Sequence, residues 1–265
     1  MNQERRHTAE ARRTRRGAEK NLFGMSKLKT SWYSGRVGRE VSVTRWGHIG
    51  TPVLFFPTAA ADAEECERFL MVDALGALID AGRIKLYSVD SVSGQALLSG
   101  NSAQEFARAQ AGYDAFIVHE LVPAIRKDCR TPDIEIVSTG PSIGAFNALA
   151  AICRHPELFS KAICMSGTYD LTKWMNGECP SDHYFASPLH FVPNLGEGEQ
   201  LARLRERFVL LTHGTGRWEE PQQSWRVAGV LGSKRIPNRV DAWDDYDHDW
   251  VTWREMLPKY LSELA

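Results

Sequence analysis

Segments of strand character alternate along this chain with stretches of helical spacing, and that alternation is the strongest constraint on its fold. Glu40–Thr44 alternates with period two, and Val53–Phe56 is a short apolar run closed by Pro57. Ile84–Val89, Ile134–Val137, Lys161–Met165, Phe208–Thr212 and Arg239–Trp243 read as further strands. Between them Ala63–Ala81, Ser102–Arg126, Ile143–Arg154, Gln222–Gly232 and Trp250–Leu264 carry helical periodicity. Gly82 ends the first of these, Pro123 interrupts the second, and His155-Pro156 ends the third. Strands alternating with helices imply βαβ units and a mostly parallel sheet, so the fold class is α/β. The strands are short and apolar, as burial on both faces requires. Residues 170–207 depart from the pattern, being rich in Gly, Pro, Asn and aromatic side chains. They are expected to form an irregular insertion beside the C-terminal edge of the sheet, where open α/β folds bind ligands.

The 265 residues suit one large α/β domain, and a composition of 43% hydrophobic and 25% charged residues excludes global disorder. Residues 1–24 stand apart. They hold seven basic residues (Arg5, Arg6, Arg12, Arg13, Arg15, Arg16 and Lys20) against three glutamates, a local charge of +4. With a total of −1, residues 25–265 carry −5, which argues against nucleic acid as a partner. The segment has almost no apolar content before Leu22, so it is expected to be a disordered, dispensable tail. It contains no apolar run of the secretory type, and no apolar stretch is long enough to span a membrane, so a cytoplasmic location is expected. A homo-oligomer is left open.

The five cysteines, Cys66, Cys129, Cys153, Cys164 and Cys179, are odd in number and form no Cys-x-x-Cys pair. Neither a zinc knuckle nor a disulfide framework is expected, and the thiols should be reduced and mostly buried. With no His-x-x-x-His pair or carboxylate cluster, no metal or other cofactor is expected.

Gly140-Pro141-Ser142-Ile143-Gly144 is a Gly-x-Ser-x-Gly pentapeptide. Alone it is a weak signal, but an apolar strand precedes it and a helical segment follows, which is the context of a nucleophile elbow. Such a turn forces Ser142 to positive φ and leaves no room for a Cβ at Gly140 or Gly144. A serine hydroxyl needs a base. In the chain order nucleophile, acid, histidine, the base follows the last strand, where His248 stands just before the final helix. His7, His48, His119 and His155 are placed less well, His183 and His190 are candidates to line a pocket in the insertion, and His213 is a candidate neighbour of the acid. The acid is expected in the loop after Phe208–Thr212, which offers Glu219 and Glu220. Glu219 is preferred because Glu220 directly precedes Pro221, and Asp170 is a third candidate. Oxyanion donors are expected from the amide of Ile143 and from the small-residue loop Pro57–Ala61, with Thr58 and Ala59 the candidates.

From about Trp32 to Leu264 the chain resembles the α/β-hydrolases of the "putative esterase" group, which includes feruloyl esterases, S-formylglutathione hydrolases and mycolyltransferases. The resemblance rests on Phe55-Phe56-Pro57-Thr58, Tyr113 with Glu120–Pro123, Gly140–Gly144, Gly214–Glu219, and His248-Asp249-Trp250 with Trp253. It implies the α/β-hydrolase fold and a serine esterase acting on a small-molecule ester through an acyl-enzyme. Pro141 and the Thr-Ala-Ala-Ala loop depart from the commoner glycine-rich oxyanion segment. Two alternatives accompany this reading. One is an acyltransferase on the same triad, in which an alcohol replaces water; the other is an inactive hydrolase fold kept as a binding protein.

Overall fold

The computed structural model describes residues 26–265, so the basic segment 1–24 lies outside the described residues. Eight strands form one sheet: β1 (Lys27–Ser34), β2 (Arg39–Trp46), β3 (Thr51–Phe55), β4 (Ile84–Val89), β5 (Ile136–Pro141), β6 (Phe159–Met165), β7 (Phe208–Gly214) and β8 (Asn238–Trp243). Their spatial order is β1-β2-β4-β3-β5-β6-β7-β8. β1 pairs antiparallel with β2 and β2 with β4; every other pairing is parallel. This is the α/β-hydrolase architecture expected above.

The helices that position the site are α1 (Ala103–Phe116), α2 (Val122–Cys129), α3 (Ile143–Arg154), α4 (Ser181–Ala186), α5 (Pro188–Phe191), α6 (Pro221–Ser233) and α7 (Trp250–Leu264). α1 starts at Ser102 with a full capping box, the Ser102 hydroxyl accepting from the Glu105 amide and the Glu105 carboxylate accepting from the Ser102 amide. Among the described residues no helix is long and apolar enough to cross a membrane.

Two apolar layers cover the sheet, and β3 shows how its alternation divides them. Leu54 packs with Tyr113, Phe116, Phe146 and Leu149 from α1 and α3. Val53 and Phe55 point the other way, into a layer with Ile79 and with Met256, Leu257 and Leu261 of α7. β3, with Val53, Leu54 and Phe55 all buried, is apolar on both faces as burial between two layers demands, whereas the edge strand β8 is mixed and half-buried.

Local structure departs from the sequence reading at four places. β1 has mixed, half-buried side chains with no clean alternation, so its sequence gave no strand signal. The helix expected over Ala63–Ala81 is broken into Glu65–Arg68, Met71–Ala74 and Gly76–Asp80, with Leu70 in the left-handed region at φ 60°. Pro123 does not break the long helix. A π-helical segment, Ile117–Leu121, joins α1 to α2 and places Pro123 in the first turn of α2, where it has no hydrogen bond to lose. The insertion is mostly short helices, α4 and α5 with 3₁₀ turns at Thr172–Met175 and Val192–Asn194 and a further helix, Glu199–Leu204.

Candidate active site

β5 runs into Ser142, and α3 begins at the next residue. Ser142 has φ 56° and ψ −120°, the strained turn expected of an elbow. Its amide donates to the Met165 carbonyl at 3.0 Å and its carbonyl accepts from the Thr168 amide at 3.2 Å, so the turn is held by the end of β6. The flanking glycines are needed sterically. A Cβ on Gly140 would lie 2.4 Å from the Phe56 carbonyl oxygen, and one on Gly144 would lie 2.1 Å from the same atom. That oxygen is backbone and cannot swing aside, because the Phe56 amide is itself bonded to the Thr139 carbonyl at 2.8 Å. Gly144→Ala is therefore expected to cost about 3 kcal/mol of stability, read as a lower urea midpoint at unchanged slope.

The loops after β7 and β8 are strapped together. The Thr215 amide donates to the Trp243 carbonyl at 3.0 Å, the Gly216 amide to the Tyr246 carbonyl at 2.8 Å, and the His248 amide to the Arg217 carbonyl at 3.0 Å. Asp247 accepts from the Arg217 amide at 2.6 Å and from its guanidinium at 2.9 and 2.7 Å. The two loops approach so closely that a Cβ on Gly214 would lie 1.9 Å from the Tyr246 carbonyl oxygen, and one on Gly216 would lie 2.3 Å from the Asp247 carboxylate. That closeness is the physical reason for the Gly-x-Gly in this run.

The strap brings Glu219 to His248, with Oε2 3.7 Å from the imidazole Nδ1. This is ion-pair range, longer than a hydrogen bond. The Glu219 side chain is only 1% exposed. Its other oxygen, Oε1, accepts from the Ser166 hydroxyl at 2.5 Å, and the Ser166 oxygen in turn accepts from the Trp253 indole N–H at 2.9 Å. Trp253 also meets the His248 ring edge-on, with centroids 5.2 Å apart. Asp249 caps α7 by accepting from the amides of Val251 at 2.7 Å and Thr252 at 3.3 Å, which fixes where His248 leaves the helix. Trp250 stacks on Phe69 at 4.9 Å.

The sequence reading missed Ser166, which directly follows β6 and takes φ 47°, a strained end for a strand aimed at the same edge as Ser142.

The two other candidate acids are committed elsewhere. Glu220 pairs with Lys173 and accepts from Gln223 at the surface. Asp170 accepts from the Thr172 amide at 3.1 Å, the Thr172 hydroxyl at 2.6 Å and Arg226 at 2.9 Å. Burial works to raise the Asp170 carboxyl, but those bonds outweigh it and hold its pKa down at about 2, against an ordinary 3.8. A carboxyl lowered on folding stabilises the fold above its ordinary value, and that contribution is lost as pH falls toward the lowered one. Asp170→Asn is thus expected to cost about 1 kcal/mol at neutral pH, after discount for its partial exposure. The gap between wild type and variant in urea unfolding should close as pH falls from about 4 toward 2.

The oxyanion loop requires a correction. The Thr58 amide donates to Glu65 Oε2 at 2.9 Å and its hydroxyl to Oε1 at 2.5 Å. Glu65 is buried, which pushes its carboxyl up, and it needs both donors. Thr58 is therefore not free to donate to an oxyanion. The Ala59 amide has no acceptor among the described residues, and Ile143, first in α3, has no intrahelical acceptor for its own.

Two other histidines among the described residues have partners of their own. His155 sits on Asp114 at 3.0 Å. His213, on β7, packs edge-on against Trp225, and burial pushes its pKa down against the smaller opposing pull of the Glu219 charge. A separate groove of about 270 Å³, lined by Trp32, Tyr87, Glu120 and Ile125 among others, contains none of the candidate catalytic residues.

The family model described as "Putative esterase" matches residues 92–264, well over half of the chain. The chain belongs to this esterase family. No curated protein matches it. Among solved structures, a ferulic acid esterase aligns at 15% identity over 91% of this chain and 99% of that one, with a TM-score of 0.71. An S-formylglutathione hydrolase from Agrobacterium tumefaciens aligns at 13% identity over 94% and 97%, with a TM-score of 0.73. A substrate-bound, fluorophosphonate-binding serine hydrolase from Staphylococcus aureus aligns at 13% identity over 90% and 98%, with a TM-score of 0.59. At such identities these three share the fold of this esterase-family chain.

Proposed function

We propose that the chain is a serine esterase that hydrolyses carboxylic esters through an acyl-enzyme, with Ser142 as nucleophile, His248 as base and Glu219 as the orienting acid. The observation that carries this reading is the Ser142 turn at φ 56° on one strand end, with a strapped His248–Glu219 pair following two others in the order the chemistry requires. The Ser142 oxygen attacks the ester carbonyl carbon while His248 Nε2 takes its proton. The tetrahedral oxyanion is held by the Ile143 and Ala59 amides. His248 then returns the proton to the departing alcohol, and water, deprotonated by the same imidazole, releases the acid and restores Ser142. Glu219 holds Nδ1–H and balances the imidazolium charge. Trp218 is 77% exposed and adjacent in the chain to Glu219, which favours esters carrying an apolar or aromatic part.

The test is labelling with a fluorophosphonate followed by mapping of the adduct, together with hydrolysis of aryl esters of graded acyl length. A single adduct on Ser142 and turnover of these esters are expected. An adduct on another serine would overturn the assignment.

A further inference from the structure

The insertion brings together three side chains, Cys179, His183 and His190. Cys179 precedes α4, His183 lies in α4 and His190 in α5. One thiol and two imidazole ligand atoms from these residues lie within 4.8 Å of one another. His183 is 0% exposed, yet both its ring nitrogens lack a hydrogen-bond partner. Buried imidazoles normally satisfy at least one nitrogen, and leaving polar groups unpaired in an apolar setting is costly. The setting here is apolar: the His183 ring stacks on Phe146 of α3 at 6.3 Å and 7°, and meets Phe106 of α1 at 6.1 Å. His190 lies beside it, with ring centroids 5.6 Å apart. The His190 Nδ1 is already engaged by the Ser187 hydroxyl at 2.8 Å, which leaves Nε2 as its ligating nitrogen.

We infer that Cys179, His183 and His190 form a site for a thiophilic d¹⁰ cation, Zn²⁺ first, which fastens the insertion onto the core. A thiolate with two imidazoles is a borderline-soft donor set suited to zinc, and three protein ligands leave its fourth tetrahedral position for water. In such a site the ligand atoms stand roughly 3.3–3.6 Å apart, from bond lengths of about 2.0–2.3 Å. Closing to that distance asks for a movement of about 1 Å, most readily by Cys179, which is exposed and lies outside any helix. Binding releases the thiol proton and gives a buried His183 nitrogen the partner it lacks. Because His183 packs on Phe146 in the helix that starts beside Ser142, the ion would hold α4 and α5 against that helix. This departs from the expectation of no metal, and it is independent of the esterase reading.

The experiment uses the full chain, reduced and stripped of metal by chelation. Co²⁺ is titrated as a spectroscopic stand-in and then displaced by Zn²⁺. One equivalent of Co²⁺ should give a thiolate-to-metal charge-transfer band with intense tetrahedral d–d bands, and one equivalent of Zn²⁺ should abolish both. Zn²⁺ should also raise the melting temperature. Cys179→Ser should lose the charge-transfer band, and both Cys179→Ser and His190→Ala should weaken zinc binding by tenfold or more. Neither residue is fully buried, so the metal-free variants should melt close to the metal-free wild type. The proposal is overturned if the reduced chain gives no such band, or if Cys179→Ser retains wild-type zinc affinity.

Discussion

Ser142→Ala is expected to lower kcat for aryl ester hydrolysis by about 10³-fold or more while leaving the fold intact. Both halves of that expectation follow from the geometry. The side chain caps nothing, since α3 has no side-chain hydrogen bond at its N-cap, so removing the hydroxyl takes away no structural contact. Alanine meets the same strain as serine at φ 56°, so the strain is unchanged by the substitution. On the mechanism proposed above, what is lost is the attacking hydroxyl, leaving the amides and binding alone, which retain a small part of the rate. Steady-state kinetics beside a thermal melt checks both halves. Near-normal turnover in the variant would move the nucleophile elsewhere.

The fold was legible in the sequence wherever a strand was buried on both faces. β3 to β7 appear as short apolar runs because no solvent face dilutes them, and the helices between them show their period. β1 escaped because it lies at the sheet edge, half-exposed, with Lys27 and Lys29 pairing to Glu64 and Glu67 instead of entering a core. The break at Leu70 escaped because leucine carries no signal for a left-handed turn.

The candidate site divides in the same way. Ser142 and His248 were named from the sequence because two glycines and a strand–helix context mark the first, and chain order before the final helix marks the second. Ser166 and Glu65 were not, since each acts on a partner distant in sequence: Ser166 on Glu219, and Glu65 on the backbone of Thr58. The Cys179, His183 and His190 cluster was hidden for a related reason. Its i, i+4 and i+11 spacing would share one face of a continuous helix, but Pro180 and Pro188 interrupt the run, and the turn at Ser187 between α4 and α5 sets the two histidines side by side.

Glu219→Gln is expected to cut kcat by about 10⁴-fold with little change in stability. The amide keeps the volume of the carboxylate in a pocket where the side chain is 1% exposed, so packing survives. The hydrogen bonds decide the outcome. Ser166 accepts from the Trp253 indole and donates its own proton to Glu219 Oε1, so the amide of the variant must place its oxygen there. Its NH₂ group is then left facing His248 Nδ1, where a carboxylate oxygen stood before. A donor in that position requires Nδ1 to be the acceptor, so the imidazole carries its proton on Nε2 and cannot take one from Ser142. The negative charge that would balance the imidazolium is also gone. Glu220→Gln and Asp170→Asn serve as comparisons. One loses a surface pair with Lys173 and the other a bond to Arg226, and neither touches the imidazole. Both should stay within a few-fold of wild-type kcat at saturating aryl ester. If Glu219→Gln keeps most of its activity while either comparison loses it, Glu219 is not the acid and the pairing across the strapped loops is structural alone.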